Sequence, residues 1–500
     1  MNEKITLKAL YKKKAQFWEN QRLGNSLKVF QRAAKEVSAY RDFLRSQNFN
    51  PLSVKSVSDW QKIPKTSKKN YLRRHPLSQL LRQGGMARPL TWTATSGSTG
   101  EPFYFPRDYS LDWQTSLIHE MFLENGSNGV SPTLVIDCFG MGLWIGGLIT
   151  YSGFNIAANR GGYPLSIITP GINRAEIFKA LKNIAPHFQQ VIIAGYPPFV
   201  KDLIDDASRQ GIDLRKMKPR FIFAAEAFTE NFRDYIAKKS GVKNVCRDTL
   251  SIYGTADIGS MAFETPLAIL IRRLAMKNPA LFSSIFPEVK KIPTLVQYNP
   301  SFINFEEING ELFVTGESAI PLVRYALGDR GGVISFKEME RHLFKAGVDV
   351  ELALKKAGIG GSIIEFPFVY VYERSDFSAS LYGITIHPGM IRDIIIAKPL
   401  SQWLTGKFTL ATEHGGKQEQ YLAVHLELLP GTKANSSIVE AINKKIISAL
   451  KKSSAEFHEL SQHIQDRPVV KINLWPAEHP EFFTAGIKHK WIKKNELTRH

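Results

Sequence analysis

Cysteine is almost absent: Cys138 and Cys246 are the only two in 500 residues. Two thiols cannot build a disulfide framework, and with no Cys-x-x-Cys pair there is no zinc ribbon. A reducing, cytoplasmic setting is therefore expected. No apolar run reaches the ~20 residues that a membrane-spanning helix needs, so no span is expected. Met1 to Gly24 carries no apolar stretch of signal-peptide length, and no secretory leader is expected there. Blocks of six or more like charges are also missing, although the net charge is +19, 65 basic against 46 acidic residues. A spread excess of positive charge favours acidic partners such as nucleotides, coenzyme A, nucleic acid or an anionic membrane. A basic, solvated surface explains it equally well. No nucleic-acid-binding motif accompanies the charge, so no specific nucleic-acid partner is expected. Internal repeats and low-complexity segments are lacking too.

What the chain does hold is a loop, Thr95-Ser96-Gly97-Ser98-Thr99-Gly100-Glu101-Pro102, behind the β-prone run 90–94. Glycines allow tight turns and close approach of the backbone to a ligand. Backbone N–H groups in such a turn make an anion-binding concavity, to which hydroxyls add donors. Polyphosphate is the simplest target, but this is not a Walker loop, since no Gly-Lys-Ser/Thr follows. An ordinary polar turn has the same composition.

The flanks read as layers. Apolar content of 43% and charged content of 22% suit a globular enzyme, and the length suits about three domain-sized units. Residues 5–46 are helical in period, and 65–72 reads as a capped helix start before Pro76. The runs 133–136, 190–195 and 221–225 are buried strands in character, with helical segments at 175–183 and 199–210 between them. Alternation of this kind argues for an α/β sheet with substantially parallel strands. Ligands then sit at the carboxyl ends of the strands.

Several turns at those ends carry chemistry. Phe139-Gly140-Met141-Gly142-Leu143-Trp144-Ile145-Gly146-Gly147 either walls an apolar pocket, together with Tyr196, or packs a helix closely on a strand. Glu226 ends a strand before Thr229, a plausible helix cap, and suits the positive end of that helix. Tyr253-Gly254-Thr255-Ala256-Asp257 sets an aromatic ring fit for stacking on a base beside a carboxylate fit for a hard cation. Asp329, in a Gly-Asp turn, suits a ribose diol or plain solvent. The apolar stretch 267–286, with Arg272, Arg273 and Lys277, reads as a helical insertion or a membrane-surface helix. After 368–376 a separate small α+β unit follows: strands at 407–412, 421–428 and 469–474, a helix at 437–453, and a basic tail.

In order and spacing these pieces resemble the adenylate-forming superfamily of acyl-CoA synthetases, adenylation domains and luciferase, and within it the phenylacetate–CoA ligases. The likeness runs from about Ile63 to about Lys494. The loop 95–102 matches the family's phosphate loop. Segment 139–147 and Glu226 match its pocket and adenine-side segments, 253–257 its Tyr-Gly-x-Ser/Thr-Glu, 322–329 its Arg-Tyr-x-x-Gly-Asp run, and Arg374-Ser375-Asp376 its hinge. Asp257 stands in place of Glu, Ala256 in place of a hydroxyl residue, Ala326 and Leu327 in place of Arg and Thr, and Glu101 where relatives carry Lys.

The resemblance implies a large multi-layer α/β domain at 1–374 and a small, mobile α+β domain at 375–500. It implies an ATP-dependent ligase using magnesium (Mg2+) that turns an aryl or other apolar carboxylic acid into an acyl-AMP. The acyl group then passes to coenzyme A, or alternatively to a carrier protein or an amine or hydroxyl acceptor. By the same likeness Thr95, Ser96, Gly97, Ser98, Thr99 and Gly100 hold phosphates, with Glu226, Tyr253, Gly254, Thr255 and Asp329 also on the nucleotide. Asp257 holds the metal, and Phe139, Trp144, Gly146 and Tyr196 line the acid pocket. Asp376 is the hinge, and Lys488, with Lys490 next and Arg374, is catalytic. A monomer or homodimer is expected. The departures at 256, 257, 326 and 327 leave a degenerate scaffold as the rival reading.

Overall fold

The structure, a computed structural model, describes residues 7–87, 89–95, 103–126, 131–287, 289, 292–360, 363–374, 378–464, 467, 469–483 and 492. Eighteen strands form along the described chain: β1 Thr91–Ala94, β2 Tyr104–Arg107, β3 Thr133–Asp137, β4 Leu165–Ile168, β5 Gln190–Gly195, β6 Pro219–Ala224, β7 Thr249–Thr255, β8 Gly259–Phe263, β9 Thr294–Gln297, β10 Ile303–Ile308, β11 Glu311–Gly316, β12 Leu322–Ile334, β13 Phe368–Arg374, β14 Ala379–Leu381, β15 Ile384–Ile386, β16 Leu404–His414, β17 Gln420–Leu428 and β18 Val470–Trp475.

Eleven of these strands make one sheet in the order β10-β11-β12-β13-β9-β8-β7-β6-β5-β3-β4. From β4 to β7 neighbours run parallel, and from β7 to β10 they run antiparallel. The parallel strands are the runs with no polar alternation: β3 and β5 are buried at every position, as strands covered on both faces must be. Helices Arg174–Asn183, Pro197–Ala207 and Glu230–Ser240 cover one face. Helices Tyr109–Asn125 and Ile145–Gly161 cover the other. The antiparallel half is covered by Ala15–Glu36 and Ser38–Ser46 on one side. Pro266–Lys277, Pro279–Ile285 and Phe336–Lys345 cover its other side.

The stretch 267–286 is thus a packed insertion rather than a membrane-surface helix. Its Arg272 is 2% exposed and pairs with Glu230 and Glu264 at 3.1 and 3.4 Å. Thr229 caps Glu230–Ser240 by accepting from the Phe232 N–H at 3.2 Å. The expected helix at 65–72 is not one. Thr66 bridges to Tyr325, which fixes its backbone as extended. Ser67 and Asn70 then close a reciprocal turn at 2.6 and 3.1 Å, and only a single 3-10 turn, Leu72–Arg74, follows.

Past β13 the chain builds the hairpin β14–β15, a three-stranded sheet β16-β17-β18, and helices Gly389–Ile396, Ser436–Ser453 and Ala455–His463. Their apolar faces join the core under the parallel strands: Leu381, Ile386, Leu410, Val424 and Ile442 belong to the same buried cluster as Ile193, Phe199 and Phe223. The C-terminal unit is docked on the large sheet.

Candidate active site at the strand ends

The carboxyl ends of β3, β5, β6 and β7 converge with the turn inside β12 and the β1–β2 hairpin. At the hairpin, Thr95 pairs with Phe103 both ways: its N–H reaches the Phe103 carbonyl at 3.0 Å, and its Oγ1 accepts from the Phe103 N–H at 3.1 Å. Thr95 therefore closes the base of the glycine-hydroxyl loop. Ser96, Gly97, Ser98, Thr99, Gly100 and Glu101 lie outside the described residues, as do Asp376, Lys488 and Lys490. Arg374 ends β13 opposite Asp329 in the β12–β13 register.

The glycine-aromatic segment closes against this base, the Ala94 N–H donating to the Leu143 carbonyl at 3.1 Å. Its glycines are close-packing positions. A Cβ on Gly140 would fall 2.5 Å from the Trp144 ring, and one on Gly147 would fall 2.6 Å from the Gly140 carbonyl oxygen. The close-packing reading of this segment holds, and the packing places rings. Phe139 meets Tyr196 edge to face at 5.1 Å, and Gly146 lies against Phe139. The Trp144 indole N–H donates to Glu459 of the C-terminal unit at 3.1 Å.

At the end of β7, Tyr253 and Asp257 diverge to different partners. The Tyr253 hydroxyl donates to Asp329 at 2.5 Å, and its ring stacks near Phe305. Asp257 accepts from the Tyr325 hydroxyl at 2.6 Å and faces the Lys68 ammonium at 3.4 Å. Burial and the Asp257 charge push the Tyr325 hydroxyl far above its ordinary range, so it stays a donor. Gly254 permits the turn, since a Cβ there would meet the Gly259 carbonyl oxygen at 2.6 Å. Thr255 Oγ1 is shielded from water and finds no partner among the described residues.

A carboxylate is the ligand type a hard cation takes, but here both Asp257 oxygens are held, one by Tyr325 and one by Lys68. No cluster of three or more metal-ligating side chains exists among the described residues.

Glu226 follows Ala225, whose φ of +73° marks a strained turn at the strand end. Its carboxylate accepts from the Ser380 hydroxyl at 2.7 Å, the Gln420 amide at 2.8 Å and the Gly383 N–H. All three donors come from the C-terminal unit. Burial raises the Glu226 carboxyl above its ordinary range, and these hydrogen bonds oppose the rise. Sequence reasoning put Glu226 on the nucleotide side; here its side chain holds the docked hairpin. Of two further residues at the site, Lys68 escaped the sequence altogether and Tyr325 was noted only within the 322–329 run. Lys68 reads as one more lysine on a surface turn, and Tyr325 owes its place to the pairing of Thr66 with β12.

The fold is that of the adenylate-forming CoA ligases. Two curated proteins, both named phenylacetate-coenzyme A ligase, bear out the resemblance read from the sequence. One, from Aromatoleum evansii, is 22% identical over 80% of this chain and 79% of its own length. The other, from Pseudomonas putida, is 28% identical over 45% of this chain and 48% of its own length. Among solved structures, 2-hydroxyisobutyryl-CoA ligase with its acyl-AMP and CoA in the thioesterification state superposes with a TM-score of 0.62 at 16% identity, over 99% of this chain and 94% of that one. The same enzyme in a postadenylation state gives 0.53 at 14% identity over the same shares. No protein-family model matches the chain.

Proposed function

We propose that this protein is an AMP-forming acid–CoA ligase. It would join a carboxylic acid to ATP with release of pyrophosphate, then pass the acyl group from AMP to the thiol of coenzyme A. A free carboxylate is a poor electrophile because its leaving group would be oxide, and adenylation replaces oxide with AMP. The observation that carries the reading is the docked turn Tyr382-Gly383. A Cβ on Gly383 would fall 2.5 Å from the Tyr196 ring, so the C-terminal unit meets the large domain just past the carboxyl end of β5, at a residue read as part of the acid pocket. The closer superposition on the thioesterification state than on the postadenylation state supports this as the arrangement for thiol attack.

On this reading Asp329, oriented by the Tyr253 hydroxyl, binds the nucleotide ribose, Tyr253 stacks on the adenine, and Asp257 would hold a magnesium ion, while Lys68 and the phosphate loop offset the meeting of two anions. Phe139 and Tyr196 take an aryl or apolar acid. Thr95 to Gly100 hold phosphate, and Lys488 or Lys490 serves the first half-reaction. The C-terminal unit turns about Asp376 between the half-reactions, a gating motion. Docking also keeps water from the adenylate.

The test is acid-dependent ATP–pyrophosphate exchange over a panel of aryl and fatty acids starting with phenylacetate, with Lys488→Ala alongside. Exchange with one acid class, lost in the variant, is expected. CoA-dependent thioester formation with the same acid separates CoA from a carrier protein or an amine acceptor. Silence from protein that binds ATP would point to a degenerate scaffold, and silence with no ATP binding would overturn the reading.

A further inference from the structure

Helix Pro197–Ala207 carries three carboxylates, Asp202, Asp205 and Asp206, of which Asp202 and Asp206 meet the C-terminal unit. Asp202 is 1% exposed. The Tyr382 hydroxyl donates to its Oδ2 at 2.7 Å, and Arg467 pairs with its Oδ1. The same guanidinium reaches Asp206 at 2.7 Å, where Arg174, at the start of helix Arg174–Asn183, also pairs. Lys201 holds Asp205 at 2.9 Å and Asp202 at 3.5 Å. Tyr382 and Arg467 belong to the C-terminal unit; Lys201 and Arg174 do not. When the unit departs, Asp202 loses two of its three partners and Asp206 loses one.

A buried ion pair is weak evidence of stability, because desolvation cancels much of the attraction, but it discriminates sharply between arrangements that make and break it. Tyr382 needs such a hold. Its φ is +52°, in the left-handed region that a bulky residue adopts only at a cost. The hydroxyl on Asp202 and the backbone N–H on Gln420 Oε1, at 2.7 Å, pin it at both ends. The next residue is Gly383, seated on Tyr196.

We infer that Asp202, with Asp206 and Arg467, is a positioning residue for the second half-reaction: it holds Tyr382, and so the Gly383 turn, against the acid pocket when the acyl group moves from AMP to the thiol. The inference rests on the proposed reaction. It makes a prediction that a merely structural network does not, since the adenylation half-reaction needs none of these contacts.

The variants are Arg467→Gln, on the partly exposed member, and Asp202→Asn, with Arg467→Lys as the conservative control. Two readouts apply. Hydrogen exchange of backbone amides 379–386 in the protein alone reports docking without any substrate. Pyrophosphate exchange and CoA-thioester formation, with phenylacetate as probe, report the two halves. Arg467→Gln is expected to speed exchange at 379–386, leave pyrophosphate exchange within about twofold, and lower thioester formation at least ~10-fold. Arg467→Lys should recover part of the loss. Unchanged protection at 379–386 in both Asp202→Asn and Arg467→Gln would overturn the inference, as would an equal fall in both half-reactions. Failure of the wild-type protein to turn over any acid would count against the proposed reaction instead, and the exchange data would still decide the docking contact.

Discussion

At the scale of single residues, Asp257 shows what identity alone conceals. It is one methylene shorter than the glutamate of the family it resembles, which by itself reads as weakened metal binding. The structure surrounds the shorter side chain with the Tyr325 hydroxyl at 2.6 Å and Lys68 at 3.4 Å. Its carboxylate is therefore oriented, not loose. A hydrogen bond to a charged group contributes about 1.5–3 kcal/mol. Tyr325→Phe should thus slow pyrophosphate exchange by ~10-fold or somewhat more and raise the magnesium concentration needed for half-maximal rate. Asp257→Asn removes the charge itself and should cost more. Equal rates for wild type and both variants, measured over a magnesium titration, would remove Asp257 from the site. Lys68 was not legible as a site residue, and Tyr325 was legible only as a member of the 322–329 run, because their meeting at Asp257 depends on the long-range pairing of Thr66 with β12. No local period records that pairing.

At the scale of elements, the periodic ones were legible and the contact-made ones were not. Strand β5, helix Arg174–Asn183 and helix Ser436–Ser453 lie within a residue or two of their sequence reading, because burial period and caps are local. The stretch 267–286 was ambiguous, since an apolar face with arginines suits either a bilayer surface or a core. What decides it is Glu264 on the adjoining strand-end turn and Glu230 on the neighbouring helix. Arg233, fully buried, joins both: Glu264 at 2.6 Å, Glu230 at 3.0 Å and the Thr249 hydroxyl at 2.6 Å. Removing one partner of such a cluster leaves carboxylates buried and short of a partner, at about 3–5 kcal/mol. Arg233→Ala should lower the unfolding free energy by that much, read as a lower urea midpoint at unchanged slope, with Arg273→Ala, whose side chain is 23% exposed, costing far less. Similar midpoints for the two would show that the insertion is held by its apolar face alone.

At the scale of the whole molecule, the order of motifs revealed an α/β ligase fold with a small C-terminal unit, but not the face on which the unit docks. One part of that face, away from Arg467, is acidic on both sides. Glu456 and Glu459, on helix Ala455–His463, approach Tyr196 and Trp144 of the large sheet, and Asp137 lies near Tyr196. Burial first, and the Glu459 charge second, push the Glu456 carboxyl up to about 7 from 4.5. Undocking returns it to water and to its ordinary range. The docked state therefore binds more protons between pH 4.5 and about 7, and docking weakens as pH rises through that window. Below the window the penalty is absent, and above it the penalty is constant, at ~3 kcal/mol if Glu456 alone is responsible. Amide protection at 379–386 should fall from pH 5 to pH 8 once corrected for intrinsic exchange, by up to ~100-fold. Glu456→Gln, which cannot ionise, should flatten that profile and keep the turn protected at the alkaline end. A profile equally steep in the variant would place the titration elsewhere on this face, with Glu226 and Asp137, both raised by burial, as the next carboxyls to replace.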